Sequence, residues 1–113
     1  MITGFFVLFF AAGCHTDTPS IPGNAVLLDV RTPAEFASAS LPGSILIPHD
    51  RITAEITGKV PDKNQAIIVF CRSGRRSAIA AETLRNMGYT DITDLGSIEN
   101  ASKVLNKSVV SNR

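Results

Sequence analysis

"AIIVFCRSGRRS", residues 66–77, is the stretch whose reading decides the fold. Ala66 to Phe70 is an unbroken apolar run and reads as a strand buried on both faces. Cys71 to Ser77 then crowds one cysteine, three arginines and a glycine into a single loop. Directly after it, "SAIAAETLRNM", residues 77–87, places Ile79, Ala80, Leu84 and Met87 on one helical face before Gly88 ends the helix. Buried strand, glycine-containing loop and helix form one half of a parallel-sheet unit.

Working outward, the same alternation recurs. "AVLLDV", residues 25–30, is a second run of buried-strand type and contains Asp29. Behind it, "TPAE" supplies Thr32 as N-cap, Pro33 at the first helical position and Glu35 to close a capping box. "LPGSILIP", residues 41–48, makes a Pro-Gly turn and a short strand from Ser44 to Ile47. Asp50 is expected to cap a helix running to about Thr57, with Gly58 and Pro61 breaking the chain. "DITDL", residues 91–95, reads as a fourth strand, and "SIENASKVL", residues 97–105, as a last helix with Ile98, Ala101, Val104 and Leu105 at helical spacing. Strands alternating with helices predict an α/β fold, a short parallel β-sheet flanked by helices. No repeat or low-complexity segment interrupts it. The domain is expected over residues 25–107, with 108–113 as a C-terminal tail.

At 113 residues the chain holds one domain at most, and 44% hydrophobic with 19% charged residues is ordinary for a soluble globular protein. A formal net charge of +1 gives no reason to expect nucleic acid as a partner, because the basic residues outside 71–76 are interspersed with acids such as Asp50, Glu55 and Asp62. The first fourteen residues, "MITGFFVLFFAAGC", pose a separate problem. Phe5 to Ala12 is a solid apolar run, too short to span a bilayer, which takes roughly 20 residues. It has the form of the core of an export signal. Ala11, Ala12, Gly13 and Cys14 resemble a bacterial lipoprotein cleavage box, which implies lipidation of Cys14, although Ala11 stands where that box usually has Leu and no Lys or Arg precedes the run. The competing reading, a buried first strand over Phe5–Phe10, is opposed by "HTDTPSIPGN", residues 15–24, a polar stretch that reads as a tether. The expectation is an exported, periplasmic protein that meets a membrane only through a lipid on Cys14. Cys71 is then a lone thiol in an oxidising compartment, a position that invites oxidation unless the thiol is used.

In open α/β sheets ligands bind beyond the carboxyl ends of the strands, and Cys71 sits at such an end. A cysteine after a strand is more often a small buried hydrophobe. Here the loop argues otherwise: Gly74 permits a tight turn, successive N–H groups can form an anion nest, and the following helix adds its positive end. A free thiol is mostly protonated at neutral pH, whereas one at a helix N-terminus near arginine is readily ionised. Arg72, Arg75 and Arg76 would favour the thiolate and hold an anionic substrate; the sequence does not rank them. The bland alternative is a solvated surface turn, which leaves three mutually repelling cations without a carboxylate among residues 71–77. Ser73 and Ser77 are placed to donate hydrogen bonds to a bound anion or to cap the helix. Asp29 and Arg31 are expected to pair and brace the floor of the site. His15 and His49 are read as tether and surface residues, and no metal is expected.

"LLDVRTPAEF", "LPGSILIPHD", "IIVFCRSGRRSAIAAETLRNMGY" and "DLGSIENA", in this order and spacing, resemble the rhodanese domain, most closely the small single-domain sulfurtransferases of the phage-shock type exported by bacteria. The resemblance covers about residues 25–106. The family's glycine pair near the last helix is Gly96 and Ser97 here, its frequent Trp falls at Ala101, and the segment before Ala25 is short for the family. The resemblance implies a three-layer rhodanese-like sandwich and a sulfur relay: Cys71 takes the outer sulfur of thiosulfate or another sulfane-sulfur donor, sulfite departs, and cyanide or a thiol removes the sulfur from the persulfide. It implies no cofactor; the chain shows no obvious dimer seam, so a monomer is expected. Phosphatases with a catalytic cysteine need an arginine six positions after it, where this chain has Ser77, so a phosphatase or arsenate reductase is disfavoured. A noncatalytic module on the same fold, binding a partner or accepting protein-delivered sulfur, is the alternative.

Overall fold

The computed structural model describes residues 21–111. The expectations for the export signal, Cys14 and His15 lie outside the described residues. Four parallel strands make the sheet: β1 (Val26–Asp29), β3 (Ser44–Leu46), β4 (Ile67–Cys71) and β5 (Ile92–Ser97), in the spatial order β3-β1-β4-β5. Every residue of β4 is buried, as its apolar run requires of a central strand. Its side chains alternate between two cores. Ile67, Val69 and Cys71 face helices α2 (Ile52–Lys59) and α3 (Arg75–Asn86), while Ile68 and Phe70 face α4 (Ile98–Leu105). Helices on both faces of one sheet give a three-layer α/β sandwich. Each of these strand side chains contributes about 1.5–3 kcal/mol through burial, so both faces of β4 must be covered for the domain to hold together.

The helix α1 (Pro33–Ser38) forms with its capping box as the sequence predicts: the Glu35 N–H donates to Thr32 Oγ1 at 3.2 Å and the Thr32 N–H donates to Glu35 Oε1 at 2.9 Å. Elsewhere the boundaries shift. Asp50 does not cap α2, because the Arg51 N–H bonds to the Pro48 carbonyl at 2.8 Å and draws His49–Arg51 into a 3-10 turn. Asp50 thereby lies inside the 3-10 turn, and neither that turn nor α2 has a side-chain capping bond. Gly58 does not break the chain either; buried Ile52 and Ile56, one turn apart, carry α2 through to Lys59. Helix α3 begins at Arg75 rather than Ser77, and its buried face is Ser77, Ala80, Ala81 and Leu84. Ala80 and Leu84 are buried as expected, but Ile79 is 45% exposed, because the buried stripe runs at i, i+3, i+4 and i+7 from Ser77 and leaves position 79 off it.

At the two ends of the chain, residues expected as tether and tail are partly structured. Ile21 packs against the α4-side core, and Val110–Ser111 form a short strand β6 antiparallel to β2 (Ala39–Ser40). Strand order explains why the site lies where it does. From β1 the chain leaves toward β3, and from its neighbour β4 it leaves toward β5, so the two connections diverge and open a crevice at the carboxyl ends of β1 and β4. Such a switch point is the usual ligand site of an open parallel sheet.

Candidate active site

Cys71 ends β4 at this switch point, paired in register with Ser97 of β5. Residues 72–74 then turn back over it. Gly74 holds φ +104°, a left-handed conformation that glycine adopts freely, and its N–H donates to Cys71 Sγ at 2.9 Å. A Cβ at Gly74 would stand 3.5 Å from the Cα of Gly96, so the loop passes close to the backbone at the end of β5. Gly96 itself has φ +78°. The sequence signal for this packing was the pair of glycines, one in the loop and one before the last helix.

Cys71 is completely buried beneath this loop. Burial is the largest influence on the thiol and pushes its pKa up, but the N–H groups of Ser77, Gly74 and Ser73, together with the Ser77 hydroxyl, outweigh it and hold the pKa below the ordinary value. The donors are those of a loop feeding a helix N-terminus, the anion nest anticipated from the sequence. Arginine has a smaller part than expected: Arg76 feels the Cys71 charge, yet its main partner is a carboxylate. Ser77 is fully buried, and its hydroxyl donates to the Gly74 carbonyl at 3.0 Å, which fixes the loop to the first turn of α3.

The three arginines fall into distinct settings. Arg76 Nη1 and Nη2 donate to the two carboxylate oxygens of Glu35, at 2.9 and 3.1 Å, and the guanidinium holds the Glu35 carboxyl at about 2, against an ordinary value of 4.5. Arg72 lies 3.9 Å from the same carboxylate with its side chain 75% exposed. Arg75 is exposed and makes no ion pair among the described residues. Glu35 is thus a site residue that the sequence reading did not assign: the capping box accounted for it locally, while its second role spans 41 positions. One signal was available, since a capping-box glutamate uses one oxygen and leaves the other for a distant cation.

Asp29 and Arg31 pair as expected. Both are buried; Arg31 Nε and Nη2 grip the Asp29 carboxylate at 2.9 and 2.7 Å, and Nη2 also donates to the Ala39 carbonyl at 2.6 Å. The pair ties the end of β1 to β2. Neither side chain reaches the sulfur through any hydrogen bond, so their role here is bracing. His49 lies in the 3-10 turn, its N–H bonded to the Val30 carbonyl. Among the described residues no cluster of three His, Cys, Asp or Glu side chains gathers in metal-binding fashion.

Comparison with known proteins accords with this geometry. The rhodanese-like domain matches residues 17–103. Thiosulfate sulfurtransferase PspE of Escherichia coli strain K12 is 38% identical over 72 residues, which cover 64% of this chain and 69% of that protein. A sulfurtransferase of Allochromatium vinosum is 33% identical over 72 residues, covering 64% of this chain and 65% of the relative. Among solved structures, a chain described as a rhodanese with anions from E. coli superposes with a TM-score of 0.65 at 36% identity, over 67% of this chain and 89% of that one.

Proposed function

The chain belongs to the rhodanese-like domain family, and from that premise we propose that it is a thiosulfate sulfurtransferase working through a persulfide on Cys71. The observation that carries the reading is the Gly74 N–H 2.9 Å from Sγ, in a loop whose donors together lower the thiol's pKa. A nest built to hold a sulfur anion serves both the thiolate and the persulfide that replaces it.

In the first half-reaction the Cys71 thiolate attacks the outer sulfur of thiosulfate; the S–S bond of thiosulfate breaks, sulfite leaves with the electron pair, and Cys71 carries the transferred sulfur. Arg72 and Arg75, exposed beside the loop, supply the cationic field that draws in the dianion, while Arg76, engaged by Glu35, acts by holding the loop. In the second half-reaction cyanide or a thiol attacks the outer sulfur and restores Cys71. At the position where a phosphatase loop needs a guanidinium, the buried Ser77 hydroxyl bonds the loop's own backbone. The apolar run Phe5–Ala12 and the box at Cys14 support placing this chemistry outside the cytoplasm, on a lipid-anchored protein.

Intact-mass spectrometry tests the assignment. The protein should gain one sulfur atom from thiosulfate and lose it to cyanide, and Cys71→Ser should remain folded yet gain nothing. No adduct on a demonstrably free thiol would sink thiosulfate as donor. The complete burial of Sγ favours one second reading, in which a partner protein opens the loop and delivers the sulfur itself; uptake from a persulfidated protein but not from thiosulfate would select it.

A further inference from the structure

Charge divides unequally between the two ends of the domain. At the carboxyl ends of the strands, around the site, arginines meet acids: Arg31 pairs with Asp29, Arg51 with Glu55 and Arg76 with Glu35. The opposite end, where the strands start and α2, α3 and α4 finish, gathers Lys59, Lys63, Arg85, Lys103 and Lys107 against the carboxylates of Asp62 and Asp91. Glu82 and Asp94 fall within the length of α3 and β5. Contacts hold the segments of this end together: Lys63 Nζ donates to the Met87 carbonyl at 2.7 Å, the Thr90 N–H donates to the Lys63 carbonyl, and Gln65 Nε2 donates to the Asn24 carbonyl. Lys59, Arg85, Lys103 and Lys107 are exposed and form no ion pair among the described residues. Lys59, Arg85 and Lys103 stand in the last turns of their helices, where each helix dipole offsets about half a charge, so the end stays cationic.

An apolar groove of about 450 Å³ opens at the same end, bordered by Ile21, Ala25, Val104, Leu105 and Lys107. Apolar side chains set among cations are the combination that holds a protein surface at the headgroup boundary of an anionic bilayer. Nucleic acid fits less well, because the aromatic ring at this end, Tyr89, is buried and offers a base nothing to stack on. Ile21, on the rim of the groove, is separated from Cys14 by the six residues 15–20. Fully extended, that tether spans at most about 25 Å. A lipid on Cys14 therefore keeps this end within a few Debye lengths of the bilayer, each about 8 Å, where weak attraction is enough to orient the domain. We propose that the end of the domain bearing Lys103 and Lys107 docks on an anionic phospholipid surface and turns the Cys71 loop away from it, toward solvent. The docking stands on the charges of the domain itself, while its consequence for the site rests on the lipid-anchored persulfide reading above.

The test uses residues 15–113, which contain both hydrophobic cores and neither the apolar leader nor Cys14. Co-sedimentation is measured with vesicles of phosphatidylcholine alone, or of equal parts phosphatidylcholine and phosphatidylglycerol, at about 0.05 M and about 0.5 M ionic strength. The protein should sediment with the mixed vesicles at low salt, come off at high salt, and leave the neutral vesicles alone. Lys103→Gln combined with Lys107→Gln should weaken binding about five- to thirtyfold, the scale of two basic residues near a charged surface. Arg51→Gln combined with Arg75→Gln, the same loss of charge at the other end, should change it less than about twofold. Thermal melts report that the variants are folded, and the lysine pair should leave sulfur uptake from thiosulfate unchanged. No sedimentation with mixed vesicles at low salt, equal binding to neutral ones, or no greater weakening by the lysine pair than by the arginine pair would overturn the surface, as would tighter binding to single-stranded DNA than to vesicles. A wild type that binds vesicles but takes up no sulfur overturns the thiosulfate reading and leaves the surface standing.

Discussion

Neutralising Glu35 tests whether the loop is held from a distance. Glu35→Gln keeps the side-chain oxygen that accepts the Thr32 N–H, so α1 retains its cap, but it removes the charge that Arg76 grips at 2.9 and 3.1 Å. The two side chains of this pair are 22% and 23% exposed. Fully exposed pairs contribute about 0.2–1 kcal/mol and hydrogen bonds to charged groups about 1.5–3, so a two-pronged, partly covered pair should lie near 1–2 kcal/mol. In a domain of this size that is a fall in melting temperature of about 5–10 °C. A double-mutant cycle with Arg76→Gln, read by urea denaturation at pH 7, isolates the coupling from the loss of either side chain alone. The sign with pH follows from the carboxyl, which is held at about 2 in the folded protein against 4.5 ordinarily. A depressed carboxyl stabilises the fold fully above its unfolded value, and that contribution fades as the pH falls from there toward 2. The cycle should therefore show its full coupling at pH 7 and little near pH 2. Coupling below about 0.3 kcal/mol at pH 7, or coupling indifferent to pH, would refute the claim that Glu35 holds the loop.

Two further outcomes follow from the same geometry. The rate of sulfur uptake should rise with pH through the thiol's pKa, with a midpoint below that of an ordinary cysteine, and Ser77→Ala, which removes a hydroxyl donor, should move the midpoint upward; an unchanged profile would mean the backbone N–H groups suffice alone. Asp29→Asn leaves the Arg31 guanidinium buried without its counter-charge and should cost about 3–5 kcal/mol, seen as a large fall in the denaturation midpoint, whereas a loss under about 1 kcal/mol would remove the pair from the structural floor of the site.

How much of this was legible in the sequence depends on the range of the interaction concerned. The capping box at Thr32–Glu35 and the buried β4 are settled by neighbours within a few positions, and each forms as its residues predict. Local pattern was insufficient where a tertiary contact chose between neighbours. In α3 the expected face was right at Ala80 and Leu84 but took Ile79, whereas the buried stripe runs Ser77, Ala80, Ala81 and Leu84 at i, i+3, i+4 and i+7. The strand β6 was not anticipated, since the Val109–Val110 pair is too short an apolar run to signal a strand and forms one only where β2 offers an edge to pair with.

The arginine cluster shows the same division at the site. Read locally, Arg72, Arg75 and Arg76 are three cations without a carboxylate between residues 71 and 77, and their mutual repulsion demands an anion. The fold meets part of that demand itself. Parallel topology returns the carboxyl end of β1, and with it α1, to the carboxyl end of β4, so Glu35 arrives beside Arg76 although 41 positions separate them. One cation is then spent on holding the loop in the shape that turns its N–H groups onto Sγ, and the remaining positive charge faces solvent, where a dianionic substrate can meet it. The division is electrostatically consistent: an arginine bound as tightly as Arg76 cannot also swing to each incoming anion, whereas Arg72 and Arg75 give up no strong partner to do so. The loop therefore carries one cation engaged by a carboxylate and two exposed ones, which under the proposed function are those left to meet the substrate.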